Sequence, residues 1–278
     1  MGVIKLLNQV GAVFRKMYLG QLIILSFTIF FSSFKKLGNR KASFMTFINQ
    51  TYFTGVEAAP QITLLAIIIG ALTIVQAVTV MPKLGGGDAL GGVMVAVVIR
   101  ELGPLMTALF IAGRSGSAMS TYIGNMKVLQ EVDALRSMGI DPLHFLIMPA
   151  FFATLVSMLC LTMLFNFVAV LGGYFIVWTV KIALPGLFSA HLSLPLFTEK
   201  IFEAMGIMDL VLVMVKPLIF GAFISVLACF HGMSVGLDVR AVPNATRMTV
   251  VRSFVLIITC DLLFAIPFFL QLKEQMVL

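Results

Sequence analysis

Charged residues are scarce in this chain of 278 residues, and their scarcity excludes a soluble protein. Asp, Glu, Lys and Arg make up 11% of the sequence, whereas hydrophobic residues make up 60% and the mean hydropathy is +1.08. Soluble domains carry about 25% charged residues. Several apolar runs exceed the roughly 20 residues that cross a bilayer, and they do not alternate as barrel strands do. The sequence therefore predicts an all-α integral membrane protein.

Cysteines and motifs for nucleotide or metal binding are also sparse. Cys160, Cys229 and Cys260 lie inside apolar runs, which favours packing residues over a disulfide framework or a metal site. The sequence contains no HExxH zinc motif and no GxxxxGK[ST] loop, and "GGGDALGG" lacks the required lysine. We therefore expect this chain to bind no cofactor. If its action uses ATP, another subunit must hydrolyse it.

The apolar runs predict five membrane spans within a membrane domain over residues 53–278. The spans are expected at about 61–81, 89–113, 147–173, 207–230 and 249–272. Residues 1–52 form a separate N-terminal region in which apolar and basic positions mix. Its apolar run 21–34 is short for a span and predicts a helix that lies in the membrane interface, with lysines near lipid phosphates.

The apolar stretch 143–180 allows either one long span or a hairpin of two spans. With one span, 13 Lys and Arg residues lie on one side of the membrane and four on the other, and a hairpin weakens this contrast. The positive-inside bias, which is typical of inner-membrane proteins, favours one span, an outer loop at about 174–205 and a cytoplasmic N-terminus. The same bias accounts for the net charge of +7 without nucleic-acid binding. An odd number of spans argues against an inverted repeat within one chain, so we predict a homodimer.

Four charged residues lie near the centres of three predicted spans: Arg100, Glu101, Lys216 and Asp261. Each charge would cost about 2.5–3.5 kcal/mol at a span centre. Two positive and two negative charges at similar depth sum to zero, which predicts mutual pairing inside the bundle or around a wet cavity. Two interpretations remain open: the four residues line a path for an amphipathic or charged substrate, or they are ion pairs that hold helices together.

Local geometry constrains how these charges can pair. Arg100 and Glu101 are about 100° apart around a helix, so they cannot both point at one partner. Pro104 has no N–H group, which frees the carbonyl of Arg100 and allows a kink beside the charges.

The segment 125–142 between the second and third spans predicts a short amphipathic helix. Its apolar residues are Val128, Leu129, Val132, Leu135 and Met138, and its polar residues include Lys127, Glu131 and Asp133. We expect Gly139 to end it in a left-handed cap, Asp141 to cap the next helix and Pro142 to begin that helix. Acidic residues on the polar face favour a protein partner over a membrane surface.

Two further interpretations belong to other classes of protein. "GRSG" at 113–116 occurs around the nucleophile of intramembrane serine proteases, so Ser115 with His231 as its base is a hydrolase hypothesis. Gly and Ser beside a helix end also allow close helix packing, which is the simpler explanation. A scaffold that assembles other subunits without a substrate path is the second alternative.

Residues 100–142, "RELGPLMTALFIAGRSGSAMSTYIGNMKVLQEVDALRSMGIDP", resemble the signature of the MlaE/YrbE family. Members of this family are permease subunits of ABC systems that move lipids between bacterial membranes. The resemblance implies a homodimer with five spans per chain, in which the 125–138 helix couples to a cytoplasmic ABC ATPase. It also implies an MCE-domain protein on the outer side and, in many systems, a cytoplasmic STAS-domain subunit. Arg100, Glu101, Lys216 and Asp261 match the charged intramembrane positions of the family. We therefore expect them to line the route of a phospholipid.

Overall fold

Helices account for almost the whole of the structure, which is a computed structural model that describes residues 40–80, 90–183 and 194–277. No strand occurs within these ranges. The α-helices are α1 (Arg40–Thr51), α2 (Ala59–Val80), α3 (Leu90–Val93), α4 (Gly103–Ile111), α5 (Ser117–Val128), α6 (Glu131–Ser137), α7 (Met148–Ala183), α8 (Leu194–Ala204), α9 (Ile207–Met233) and α10 (Val242–Val277). Short π-helical segments lie at Tyr52–Val56, Met94–Leu102, Ala112–Gly116 and Leu143–Ile147, and a 3-10 turn lies at Val239–Ala241.

Within the described ranges, five helical stretches are long and apolar enough to cross a membrane. They are Phe44–Thr79, Gly91–Val128, Leu143–Ile176, Ile207–Met233 and Val239–Ala265. The predicted fold class and the predicted number of spans are therefore confirmed, and the chain is a multi-pass membrane protein. The predicted interfacial helix at 21–34 lies outside the described residues.

The helix bounds differ most from the prediction in the second span. We expected it to end near residue 113, but helical structure continues through the π-helical segment Ala112–Gly116 and α5 to Val128. Two polar residues beyond position 113, Ser120 and Thr121, bond to side chains of α10. Ser120 is fully buried, and its hydroxyl accepts a hydrogen bond from Thr249 at 3.0 Å. Thr121 and Thr246 are likewise 2.8 Å apart through their hydroxyl oxygens.

The long apolar stretch is one span, as the charge bias predicted. Helix α7 runs without a break for 36 residues, and its length rules out a hairpin. The expected outer loop contains the last residues of α7 and the whole of α8. Helix α8 is amphipathic and packs against α3, with Phe197 and Ile201 buried and Phe202 exposed. Helix α10 begins at Val242, which is earlier than the predicted start of the fifth span at 249.

The contacts divide the chain into two compact units. The first unit contains 112–154 and 221–254, together with the described residues 40–51. The second unit contains 52–111, 155–220 and 255–277 in their described parts. The four charged residues predicted in the spans all belong to the second unit, whereas the 125–142 segment belongs to the first.

In the second unit, α2 and α7 approach each other through glycines. A Cβ atom added at Gly173 would lie 2.6 Å from the carbonyl carbon of Gly70 and 2.9 Å from the backbone nitrogen of Ala71. Backbone-to-backbone approach of this kind requires small residues and is typical of helix pairs in membranes.

We expect Gly173→Ala to lower the thermal unfolding midpoint of the purified protein. The added methyl group must push the two backbones apart, and overpacking of this kind costs about 1–3 kcal/mol. Gly92→Ala is the matched control, because a Cβ atom at Gly92 would meet nothing within 4 Å. An equal midpoint for the two variants would contradict the close approach of α2 and α7.

Candidate functional site

The second span changes its helical geometry where the charges lie. Residues Met94–Leu102 are π-helical, and the N–H of Gly103 bonds to the carbonyl of Val98, five residues back. Two carbonyls in this segment accept hydrogen bonds from side chains. The amide of Asn166 donates to Ile99 at 3.3 Å, and the ammonium of Lys216 donates to Arg100 at 3.3 Å. The carbonyl that Pro104 was predicted to free is therefore used by Lys216. Segments of π-helix inside longer helices are frequent at functional sites.

Lys216 is the centre of a three-residue charge cluster, which we call the Lys216 cluster: Lys216, Glu101 and Asp261. Its Nζ lies 2.6 Å from Oε2 of Glu101 and 2.9 Å from Oδ1 of Asp261. With the bond to the Arg100 carbonyl, these contacts match the three N–H donors of an ammonium group. The side chain of Lys216 is 0% exposed. The predicted pairing is confirmed for these three residues.

Arg100 points away from this cluster and pairs with Asp209 near the start of α9. This separation agrees with the prediction that Arg100 and Glu101, as adjacent residues of one helix, do not both point at the same partner. Asp209 is buried and also accepts a hydrogen bond from the N–H of Gly206 at 3.0 Å. The prediction of a balanced set of four charges was incomplete. With Asp209, the group holds two cations and three carboxylates.

The sequence contains a signal for Asp209 that the prediction did not use. Asp209 precedes Lys216 by seven residues on the same helix, and this spacing places both side chains on one helix face. Asp209 lies in the first turn of the fourth span, whereas the prediction considered only charges near the span centres. Asp209 joins the group because the Arg100 side chain extends to it, and only the fold reveals this contact.

We expect Asp209→Ala to destabilise the protein strongly, because it leaves the Arg100 guanidinium buried without this carboxylate. Breaking a buried ion pair by removing one partner costs about 3–5 kcal/mol. Glu203→Ala is the matched control, since Glu203 is an exposed carboxylate on α8. The thermal unfolding midpoint of each purified variant measures the effect. Equal midpoints would show that the Arg100–Asp209 pair contributes nothing to stability.

Exposure differs sharply among the members of the Lys216 cluster. The side chain of Glu101 is 34% exposed and that of Asp261 is 14% exposed, whereas Lys216 is enclosed. The ring of Phe264 lies 6.0 Å from the Lys216 ammonium and contributes a weak cation–π contact. In the single chain, the accessible surface of the cluster therefore consists of carboxylate groups, and the Lys216 ammonium lies behind them.

We predicted one helix between the second and third spans, but the structure has a break within this segment. Helix α5 ends at Val128, Gln130 adopts a left-handed conformation with φ of 61°, and α6 begins at Glu131. The predicted left-handed end at Gly139 is confirmed, with φ of 75°. The Asp141 cap is also confirmed, since its carboxylate accepts the N–H of Leu143 at 3.0 Å.

The predicted coupling residues divide into an exposed group and a group that supports the loop. Leu129 and Met138 are 67% and 66% exposed, and Glu131 is exposed beside them. Val132 is fully buried within the chain, so it holds α6 in place and offers no surface to a partner. Lys127 bonds to Asp133 at 3.0 Å across the α5–α6 turn. Val128 and Leu135 are half-buried.

The structure does not assemble the hydrolase pair of Ser115 and His231. Ser115 is buried, and among the described residues its hydroxyl has no hydrogen-bond partner. The Nε2 atom of His231 instead lies 3.3 Å from Nη1 of Arg252. A general base must lie within hydrogen-bond reach of its nucleophile, so this geometry gives no support to a serine hydrolase.

The structure defines a polytopic membrane protein, with five apolar helices and a set of buried, paired charges. Comparison with known proteins gives its family. Residues 47–266 match the family described as Permease MlaE, so the chain belongs to the MlaE permease family. A probable ABC transporter permease of Rickettsia typhi is 28% identical over 78% of this chain and 80% of its own length. The intermembrane phospholipid transport system permease protein MlaE of Haemophilus influenzae is 28% identical, with the same coverage of each chain.

A plant relative extends the comparison beyond bacteria. The chloroplastic protein TRIGALACTOSYLDIACYLGLYCEROL 1 of Arabidopsis thaliana is 30% identical over 80% of this chain and 61% of its own length. The family predicted from residues 100–142 is therefore confirmed.

Proposed function

We propose that this chain is the membrane permease subunit of an ABC transporter that moves phospholipid between bacterial membranes. The chain itself binds no nucleotide or other cofactor in this proposal, and a separate ATPase subunit hydrolyses ATP. The observation that carries the proposal is the Lys216 cluster at the π-helical segment of the second span. Family membership and the printed function of the Haemophilus relative support it.

The Lys216 cluster suits a substrate route because its charges are costly in a membrane and partly accessible. Ionisable groups inside membrane spans commonly mark substrate pathways. The carboxylates of Glu101 and Asp261 face outward from the cluster, so they are the groups that would first meet a headgroup. Lys216 lies behind them and holds both carboxylates through its two ion pairs. The acyl chains would follow the apolar faces of the surrounding helices.

A homodimer is part of the proposal, and the odd number of candidate spans supports it, because one chain alone cannot then form a two-fold inverted repeat. Val255, Ile258 and Leu262 are exposed at spacings of three and four residues along α10. This repeat forms an apolar stripe on one helix face of a membrane span, and either lipid or a second copy covers such a stripe, because apolar contact alone does not drive helix association in a bilayer. Asp261 lies on the same helix, so a second copy packed here would lie beside the Lys216 cluster.

The α5–α6 turn is the proposed contact with the ATPase, which places this turn and the N-terminus on the cytoplasmic side of the inner membrane. Exposed apolar anchors with charged flanks are suited to a groove on a protein partner. An MCE-domain protein on the opposite side and a cytoplasmic STAS-domain subunit complete the proposed assembly.

Reconstitution tests the function directly. The chain, purified together with the ABC ATPase that binds it, is placed in donor liposomes that contain a fluorescent phospholipid. We expect ATP to accelerate movement of the label to acceptor particles that carry the MCE-domain protein, and a non-hydrolysable ATP analogue to have no effect. A complex that assembles and hydrolyses ATP without moving lipid would support the scaffold function and contradict the proposal.

A further inference from the structure

The Lys216 cluster carries one more negative charge than positive. Lys216 is its cation, and Glu101 and Asp261 are its two carboxylates. The neighbouring pair of Arg100 and Asp209 is neutral in sum, so it does not offset this excess. An uncompensated charge inside a membrane span is costly, so the cluster stabilises a cation that enters it. Building on the proposed function, we propose that the transporter prefers phospholipids whose headgroup carries an ammonium group, which binds to these two carboxylates.

Each carboxylate of the cluster has an oxygen atom to offer to a ligand. Lys216 donates to Oε2 of Glu101 at 2.6 Å and to Oδ1 of Asp261 at 2.9 Å. Within the part of the chain that the structure describes, no donor bonds to the second oxygen of either group, and no further cation pairs with them. An ionised carboxylate accepts hydrogen bonds through both oxygens. Glu101 and Asp261 can therefore hold Lys216 and still accept from a second ammonium group.

The Lys216 ammonium is not available to a phosphate group. It is fully buried, and its three bonds, to Glu101, Asp261 and the Arg100 carbonyl, use its three N–H donors. A headgroup that reaches the cluster meets the carboxylates first, because they are the exposed members. Like charges repel, so an anionic headgroup without an ammonium group is disfavoured at this surface.

Phe264 places an aromatic ring next to the carboxylates. It follows Asp261 by three residues on α10, and its side chain is half-buried. The ring centre lies 6.0 Å from Nζ of Lys216. Aromatic rings attract ammonium groups, and they are a recurring part of sites for quaternary ammonium ligands. The ring is an observation independent of the excess charge, and it favours the same class of ligand.

The chemistry of phospholipid headgroups makes this preference testable. Phosphatidylethanolamine and phosphatidylcholine carry an ammonium group at the end of a short carbon chain beyond the phosphate. Phosphatidylglycerol has hydroxyl groups in the same place, so its headgroup is anionic. N-acetylated phosphatidylethanolamine keeps the carbon chain but loses the ammonium group, and it is therefore the matched control lipid.

Competition between labelled lipids tests the preference in the reconstituted transporter. Donor liposomes contain equal amounts of phosphatidylethanolamine and phosphatidylglycerol, with different fluorophores on their acyl chains. We expect ATP-dependent transfer of phosphatidylethanolamine to be at least about fivefold faster, which corresponds to about 1 kcal/mol. Phosphatidylcholine should share this advantage, because it keeps the positive charge. N-acetylated phosphatidylethanolamine should move as slowly as phosphatidylglycerol.

One variant and its control assign the preference to the cluster. Glu101→Gln removes the excess negative charge and keeps the shape of the side chain, so we expect the two lipids to move at similar rates. Glu203→Gln removes an exposed carboxylate from α8, and we expect it to keep the preference of the wild type. The ratio of the two transfer rates is measured within one liposome population, so it does not depend on how much of a variant is active.

The outcomes separate this inference from the proposed function. Equal transfer of the two lipids by the wild type would overturn the inference but not the function, and it would assign the excess charge to a proton or a soluble cation. A preference that persists in Glu101→Gln would also overturn it. ATP-dependent transfer of neither lipid would contradict the proposed function itself, and the inference would fall with it.

Discussion

Replacing Lys216 by methionine is expected to abolish phospholipid transport and to destabilise the second unit. The ammonium of Lys216 is fully buried and donates to Glu101, Asp261 and the Arg100 carbonyl. Its removal leaves two carboxylates facing each other without the cation between them. Breaking a buried ion pair by removing one partner costs about 3–5 kcal/mol. ATP-dependent lipid transfer and the thermal unfolding midpoint measure the two effects separately.

Charge reversal tests whether the pairing itself causes this loss. Glu101→Lys places a second cation against Lys216, and we expect it to reduce transport at least as much as Lys216→Met. Adding Lys216→Glu to Glu101→Lys re-forms that pair with reversed polarity. The rescue should be partial, because the new glutamate then lies beside Asp261 and repels it. Failure of the double variant to exceed either single variant would contradict direct pairing of residues 101 and 216.

The second large effect is expected at the α5–α6 turn. Met138→Asp and Glu131→Arg change exposed side chains at this turn, so the chain should still fold. An interface anchor whose loss costs about 2 kcal/mol or more weakens binding by over tenfold. We therefore expect each variant to lose the ATPase on purification and to lose ATP-dependent transport.

Two comparison variants make the coupling test specific. Phe202→Asp replaces an equally exposed apolar side chain on α8, and we expect it to retain the ATPase. Val132→Asp places a charge at a fully buried position, so we expect it to lower the unfolding midpoint. Met138→Asp and Glu131→Arg should leave the midpoint unchanged. Normal ATPase binding and stimulation in Met138→Asp and Glu131→Arg would show that the ATPase docks elsewhere.

The sequence predicted the parts of the site that depend on local chemistry. Pro104 cannot donate a backbone hydrogen bond, and a carbonyl of that turn, at Arg100, indeed accepts a side-chain donor instead. Because an unpaired charge is costly in lipid, the sequence predicted that Lys216 approaches Glu101 and Asp261. Gly139 and Asp141 mark the ends of their helices because left-handed and capping positions favour these residue types.

The features that the sequence did not predict depend on tertiary packing. The π-helical segment before Gly103 is stabilised by Asn166 and Lys216, which come from other helices. The continuation of the second span to Val128 depends on Ser120 and Thr121 finding hydroxyl partners on α10. Propensity carries no information on such contacts, because they join residues that lie 67 to 129 positions apart in the sequence.

One triple variant tests the central claim, that the Lys216 cluster serves transport as well as stability. Glu101→Met, Lys216→Met and Asp261→Leu together remove every charge of the cluster while nearly keeping its shape. Replacing a whole buried set of ion pairs by hydrophobic residues of similar volume is often neutral for stability. We expect an unfolding midpoint close to that of the wild type, normal ATPase binding and a loss of ATP-dependent phospholipid transfer of at least about tenfold, equivalent to about 1.4 kcal/mol. Wild-type transfer by this variant would contradict the account and leave the cluster as a structural ion pair.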